Sequence, residues 1–307
     1  MIGFHYMIDL MKKNFTQIKR MRFITSWIII YFCLMGCESS YLQPKIFSNQ
    51  SADKRVITLS PHLGEMMFDI DAGNMLVGVS AYSNFPVEIM QLPKVGDAFI
   101  LDLEQIAVLQ PDIILAWEDG TPGRVIDELR KLNYRVEVIK TSRLEDIPLA
   151  LIKLGNIFDR QNQAEIIIKK YQLEIAKLKN TFGEKDDINV FFQIDDRPLF
   201  TIGGSHYISQ LIELCGGKNI FRELTQLAPS VSIESVILRD PDAILSTDSA
   251  GDGKFDIWHR WSEIRANKLN NLYSINADRL ERPTARIIKA GQEICQKLEE
   301  SRTKDTS

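Results

Sequence analysis

The sequence predicts an α/β protein of two similar lobes with a cleft between them, and three observations carry the prediction. Short β-branched and apolar runs alternate with amphipathic stretches on either side of residue 170, the pattern of parallel sheets crossed by helices. Between those regions, 163–182 forms one uninterrupted helical stretch. Ile166, Ile167, Tyr171, Leu173, Ile175 and Leu178 make its apolar face, and lysines make its solvated face. Finally, DLEQIAVLQPDIILAW from Asp102 and SIESVILRDPDAILST from Ser232 repeat one plan. Each has a capping residue, a glutamate (Glu104, Glu234), then Pro-Asp and Ile-Leu at matching offsets. One helix–turn–strand per lobe implies an approximate two-fold axis.

In chain order, 56–59 reads as a buried strand stopped by Ser60-Pro61, with Ser60 or a neighbour as cap. A short helix is expected to begin at Glu65-Met66-Met67-Phe68 and to close at Gly73. Leu76–Val79 is the next strand. Strand, helix and strand make a right-handed parallel unit, so the loops 60–65 and 81–86 fall at carboxyl ends of strands, where open parallel sheets bind ligands. Asp102 caps a helix to Leu109, and Pro111-Asp112 leads into the strand Ile113–Trp117. A turn at 118–120, a helix at 125–132, the strand Val136–Ile139 and a helix at 148–158 complete the first lobe. The second begins with a strand at 189–194 and a loop at 195–205 containing Arg197-Pro198-Leu199-Phe200. The helix Tyr207–Leu214, a helix at 233–238 and a strand at 243–246 follow. Trp258 and Trp261 are expected on a helix as core residues, and 285–300 is the final helix, carrying Cys295.

Composition bounds the function. The 307 residues are 45% hydrophobic and 25% charged, ordinary for one or two globular domains, and a net charge of −4 argues against nucleic acid as the main partner. Lys12, Lys13, Lys19, Arg20 and Arg22 precede an apolar run at 23–36, the shape of a secretory signal too short for a comfortable membrane span. It ends in Leu34-Met35-Gly36-Cys37, which resembles the bacterial lipobox with Cys37 as the lipidated residue. Of four cysteines, only Cys215 and Cys295 fall in the folded part. In an exported chain they form a disulfide or sit as two buried thiols. No GxGxxG, GxxxxGK[ST], HExxH, CxxC or GxSxG occurs, and His5, His62, His206 and His259 lack ligand spacing, which favours binding over catalysis.

SPHLGE followed by VGVSAYSNFP resembles the opening of the substrate-binding proteins that deliver vitamin B12 (cobalamin), siderophores or haem to ABC importers, and the likeness runs over roughly 55–298. It implies two Rossmann-like lobes joined by a single long strut helix, a ligand held in the cleft, and small lobe motion. The domains expected are a signal peptide at 1–37, a tether at 38–54, an N-terminal lobe at 55–157, the connecting helix at 158–184 and a C-terminal lobe at 185–301. A monomer would present a transported corrinoid, with no cofactor of its own, to an ABC permease dimer in the inner membrane. LCGGKNIF and GQEICQKL resemble the paired cysteines of cobalamin-binding members. Glu104 and Glu234 suit helix first turns for dipole reasons alone, whereas the resemblance makes them docking residues for permease arginines.

The ligand candidates lie on loops at strand ends. Tyr82 and Phe85 follow the second strand, Trp117 ends the third, Phe200 follows the first strand of the second lobe, and Asp278, Arg282 and Arg286 precede the last helix. Aromatic walls with a few polar groups suit a large, flat ligand such as a corrin or porphyrin. Tyr82, Trp117, Phe200, Asp278 and Arg282 match positions near the ligand in cobalamin-binding members. Ala98 and Ala228 stand where those members carry tryptophans. The alternative on the same fold is haem or an iron siderophore, for which Arg197, Arg279, Arg282 and Arg286 supply positive charge. His62 reads as an exposed loop histidine or as an imidazole able to reach a metal centre in haem or a corrinoid, and with Glu65 it is the one foothold for an enzyme or metal chaperone on the same scaffold.

Overall fold

The computed structural model describes residues 54–97, 100–251 and 253–305. The expected leader and Cys37, the tether up to residue 53, and Ala98 with Phe99 lie outside them. Two four-stranded sheets, every pairing parallel, make the lobes. The first contains β1 (Val56–Thr58), β2 (Leu76–Val79), β3 (Ile113–Trp117) and β4 (Val136–Ile139), in the order β2-β1-β3-β4. The second contains β5 (Ile188–Gln193), β8 (Gly217–Asn219), β9 (Ala243–Thr247) and β10 (Leu272–Ile275), in the order β8-β5-β9-β10. A small hairpin of β6 (Asp195–Asp196) and β7 (Leu199–Phe200) sits between β5 and β8 in sequence. The two orders superimpose strand for strand, so the repeat occupies the same place in each lobe.

The repeat also uses the same bonds. In α2 (Leu103–Leu109), Asp102 accepts from the Gln105 amide at 2.8 Å; in α7 (Ile233–Arg239), Ser232 accepts from the Ser235 amide at 3.2 Å. Both helices end in a left-handed residue, Gln110 at φ 45° and Asp240 at φ 42°. The Pro-Asp carboxylates then fix the start of each lobe's first strand. Asp112 accepts from the Arg55 amide at 2.7 Å, and Asp242 from the Asn189 amide at 2.8 Å.

The first-lobe helix departs from expectation. α1 runs Pro61–Asp69, because proline is suited to the first helical position, where its missing N–H costs nothing. Residues 61–65 are therefore the first turn of a helix with Ser60 as its N-cap residue, not a loop, and Gly73 opens a short 3₁₀ turn after the helix has already ended. β8 and β10 escaped the sequence reading; GKN has little strand character, and LYSI is only four residues long. Trp258, on α8 (Asp256–His259), is fully buried and donates to Gln193 at 2.6 Å. Trp261 lies beyond that helix and is 40% exposed, so it is not core.

Strand residues bury both faces alternately. Val56, Ile113, Leu115, Val190 and Leu245 join one continuous core with α4 (Asp146–Phe158), the strut α5 (Gln161–Phe182), α6 (Tyr207–Leu214) and α11 (Ile288–Asp305). Ile57, Ile114 and Ala116 turn to a separate cluster behind the first sheet, and Phe191 and Ile244 to one behind the second. Because both sheets share the core around the strut, wide opening of the lobes would expose that apolar surface.

Cys215 and Cys295 are disulfide-bonded, both fully buried, and join the end of α6 to α11. Closing a span of 80 residues corresponds to about 4 kcal/mol in the chain-entropy picture. The Cys215→Ala/Cys295→Ala variant is expected to melt about 10 °C lower by calorimetry; a change under about 2 °C would mean the bond contributes little.

Candidate functional site

The carboxyl end of β2 leads into the loop bearing Tyr82, Asn84 and Phe85. From the other lobe, α10 (Ala277–Leu280) and the turns after it bring Asp278, Arg282 and Arg286 against that loop. Glu65, in the middle of α1 and 2% exposed, is the centre of the contact. Arg282 donates through Nη1 to Glu65 at 2.9 Å and to the Asn84 side chain at 2.5 Å. Its Nη2 meets the Tyr82 carbonyl at 3.2 Å and Asp278 at 2.7 Å. Arg286 grips the same glutamate with Nε at 3.1 Å and Nη2 at 2.8 Å, and its guanidinium lies 3.8 Å from the centre of the Phe85 ring. Asn84 closes the circuit by donating to Asp278 at 3.2 Å.

This network sets the backbone from which Tyr82 (72% exposed) and Phe85 (42% exposed) project. Arg282 is buried and its donors are engaged within the protein, so its contribution is to hold Tyr82, Asn84 and Asp278 in register. Burial pushes the Glu65 carboxyl up, and the two guanidiniums pull it back. One turn along α1, Asp69 is pushed up to about 6, first by burial and then by the charge of Glu65. Sequence reading named Arg286 but saw Glu65 only as a companion of His62, and it missed Asn84. The available signal was a glutamate inside the apolar run LGEMMF together with two arginines in ERPTAR.

Trp117 stands at the carboxyl end of the central strand β3. Its ring meets His62 edge-on, with centroids 5.0 Å apart. A Cβ on Gly120 would come within 2.0 Å of the same ring, so only glycine leaves room for it. The indole Nε1 is buried and has no hydrogen-bond partner among the described residues. His62 is neither an exposed loop histidine nor an open metal ligand. It is 2% exposed, its Nδ1 pairs with the Ser60 hydroxyl at 2.6 Å, and its Nε2 lies 3.4 Å from the Thr141 hydroxyl. Burial, then the charge of Arg282, holds it down at about 3, so it is neutral. Glu65 is bound to the arginines rather than to His62, and no group of three or more His, Cys, Asp or Glu suited to a metal occurs among the described residues.

Phe200, on β7, is partly buried and pairs by a bridge with Ser230, close to the exposed Ala228. A second seam joins the lobes. The Tyr207 amide donates to the Ser142 carbonyl at 2.9 Å and the Leu144 amide to Gln210 at 2.7 Å, while within the first lobe the Ser142 hydroxyl donates to Asp119 at 2.7 Å. Tyr82, Asp278 and Arg282 are thus drawn together by direct contacts and Phe85 joins them through Arg286, while Trp117 and Phe200 stand on other strand ends of the two lobes. A recess of about 870 Å³ lies elsewhere, lined by α4, α5 and α6, and none of the six expected ligand residues lines it. Glu104 and Glu234 are both exposed, with no ion-pair partner among the described residues.

Comparison with known proteins agrees with this geometry. The "Periplasmic binding protein" family model matches residues 56–278. A vitamin B12-binding protein of Vibrio parahaemolyticus is 31% identical over 82% of this chain and 91% of its own length. That of Pectobacterium carotovorum is 33% identical over 88% and 96%. The crystal structure of the periplasmic vitamin B12-binding protein BtuF of Vibrio cholerae superimposes with a TM-score of 0.72 at 29% identity, covering 81% of this chain and 98% of that one. The periplasmic heme-binding protein HutB of Vibrio cholerae shares the fold, with a TM-score of 0.70 at 21% identity over 80% of this chain and 99% of that one. With its two parallel-sheet lobes and a family match over most of its length, this chain belongs to the periplasmic binding protein family.

Proposed function

We propose that this protein captures cobalamin or a closely related corrinoid between its lobes and hands it to the permease of an ABC importer. The observation that carries the reading is the meeting of the Tyr82–Phe85 loop with Asp278 and Arg282 at the carboxyl ends of two facing sheets. It offers projecting aromatic faces over a rigid polar base, suited to a ligand with a flat macrocycle and amide side chains. Likeness to vitamin B12-binding proteins at up to 33% identity among those compared supports the choice of ligand. Tyr82, Phe85, Trp117 and Phe200 supply contact surface, and Asp278 and Arg282 fix the polar edge. A haem ligand would need an axial group other than His62, whose nitrogens face Ser60 and Thr141.

Calorimetric titration of the leader-free protein tests this. One-to-one binding of cyanocobalamin at low micromolar affinity or tighter is expected. Tyr82→Ala should weaken it about tenfold, the scale of losing one stacked aromatic contact. No heat from cyanocobalamin in a folded sample, with saturation by haemin, would overturn the ligand while keeping the fold.

In the same reading Cys37 carries a lipid after export, supported by Leu34-Met35-Gly36-Cys37 behind the basic and apolar leader. Glu104 and Glu234 meet cationic residues of two permease copies. Cys37→Ser in the full chain should abolish labelling by an alkynyl fatty acid and release the protein from the membrane fraction; label retained in that variant would rule out this acylation site.

A further inference from the structure

Among the exposed apolar residues, two share one position of the repeat. Val108 on α2 is 70% exposed, and Leu238 on α7 is 88% exposed. Each lies four residues after the glutamate of its repeat, on the same face of its helix and one turn further on. Isolated exposed apolar residues are ordinary, but these two occupy one position of a repeat whose other shared features have structural reasons. The caps bond helix amides, Ile106 and Val236 are fully buried, and the Pro-Asp carboxylates fix strand starts. Neighbouring positions have diverged, as in Gln105 against Ser235 and Leu109 against Arg239. What remains common to both lobes, and has no partner among the described residues, is an exposed carboxylate beside an exposed aliphatic side chain.

We propose that Val108 and Leu238 are a pair of apolar contacts that seat in two equivalent recesses of the two-fold-symmetric membrane permease, each next to the cation that meets Glu104 or Glu234. The proposal rests on the importer reading above. An exposed carboxylate–guanidinium pair by itself stabilises little and is screened by salt. An apolar side chain packed beside it excludes water and lets the ion pair act in a lower dielectric. The two residue types then divide the work: the glutamates steer encounter and register, and Val108 and Leu238 slow dissociation. Two contacts related by the molecule's own pseudo-two-fold axis fit a partner presenting the same surface twice, and fit poorly a partner without such symmetry.

The test uses the source organism's cobalamin importer, permease and ATPase subunits together, reconstituted in nanodiscs, with binding followed by interferometry. For Val108→Ser/Leu238→Ser the dissociation rate is expected to rise about a hundredfold, with the association rate and its salt dependence unchanged within twofold, since two distant apolar contacts of about tenfold each should add. Glu104→Ala/Glu234→Ala should instead slow association and flatten its salt dependence. Cyanocobalamin titration verifies that each variant is folded. Val108→Ala/Leu238→Ala provides a second pair of intermediate effect. A dissociation rate for the serine pair within threefold of wild type, while the alanine pair of glutamates fails to associate, overturns the proposal and leaves the docking face in place. An effect from one lobe alone overturns the symmetric arrangement. Loss of self-association in the serine pair, with importer binding intact, assigns the residues to contact between copies of this chain. Unchanged binding in all variants rejects this docking face, whereas absence of binding by the wild-type protein rejects the importer reading itself.

Discussion

Glu65→Ala is expected to lower the unfolding free energy by about 3–5 kcal/mol, the cost of removing one partner from a buried ion-pair group. Glu65 is almost wholly buried, and the Arg282 and Arg286 side chains are only 10% and 18% exposed. Without the glutamate, Arg282 keeps Asp278 at 2.7 Å, whereas Arg286 keeps only the Phe85 ring and the Asp278 carbonyl at 3.0 Å. Most of the loss therefore falls on Arg286, and Glu65→Ala/Arg286→Met should recover part of it. Urea unfolding measures both. A single-variant loss below about 1 kcal/mol would show that water reaches these charges more easily than their burial implies.

The apolar triple variant Glu65→Leu/Arg282→Met/Arg286→Met separates stability from organisation of the site. Replacing a buried charge group by packed hydrophobic residues is often neutral or stabilising, so this variant should unfold near the wild-type midpoint. It should still bind cyanocobalamin at least tenfold more weakly, because the Tyr82 carbonyl and the Asn84 side chain lose the donors that fix the loop. Wild-type affinity in the triple variant would mean the network supports the fold and does nothing for the site.

The layout of the fold was legible because it is written in local patterns. Short β-branched strand runs, the strut's periodicity and the repeat from Asp102 and Ser232 each depend on residues close in sequence. The candidate site was legible where it lies on strand-end loops, which is how Tyr82, Phe85 and Trp117 were named as candidates. Glu65 was obscured because a carboxylate within an apolar helix face gains its meaning from partners 217 and 221 residues away. His62 was misjudged for a related reason. Placing the helix start at Glu65 instead of Pro61 left His62 in a loop, when it is the second residue of a helix pressed against Thr141 from another strand end. Val108 and Leu238 sit in plain view in the repeat, yet their exposure follows only from the packing of α2 and α7 against the sheets.

Acidification from pH 7 to 5 is expected to cost about 2–3 kcal/mol of stability, through four groups whose signs differ. His62 is held at about 3 in the folded protein against an ordinary 6.5, and His206, which caps α6 through its Nδ1, at about 4 against 6.5. Both values are lowered, so the unfolded chain binds protons that the folded protein refuses. Stability is complete above about pH 6.5 and is lost as pH falls, by about 2 kcal/mol for each histidine at pH 5. Asp69 acts in the opposite sense. Its folded value of about 6 exceeds the ordinary 3.8, so the folded protein takes up its proton first and gains about 1 kcal/mol over the same interval. Glu65, raised by the same burial, works in the direction of Asp69. The histidines win because two act together across more than a pH unit below their unfolded value. Chemical unfolding at pH 7 and pH 5 should therefore show a loss that is roughly halved or better in His62→Gln. The loss should grow to about 4 kcal/mol in Asp69→Asn, which gains stability at pH 7 by removing a buried charge. A stability that rises on acidification in the wild type would contradict the burial of His62 and His206, and the balance struck between these groups with it.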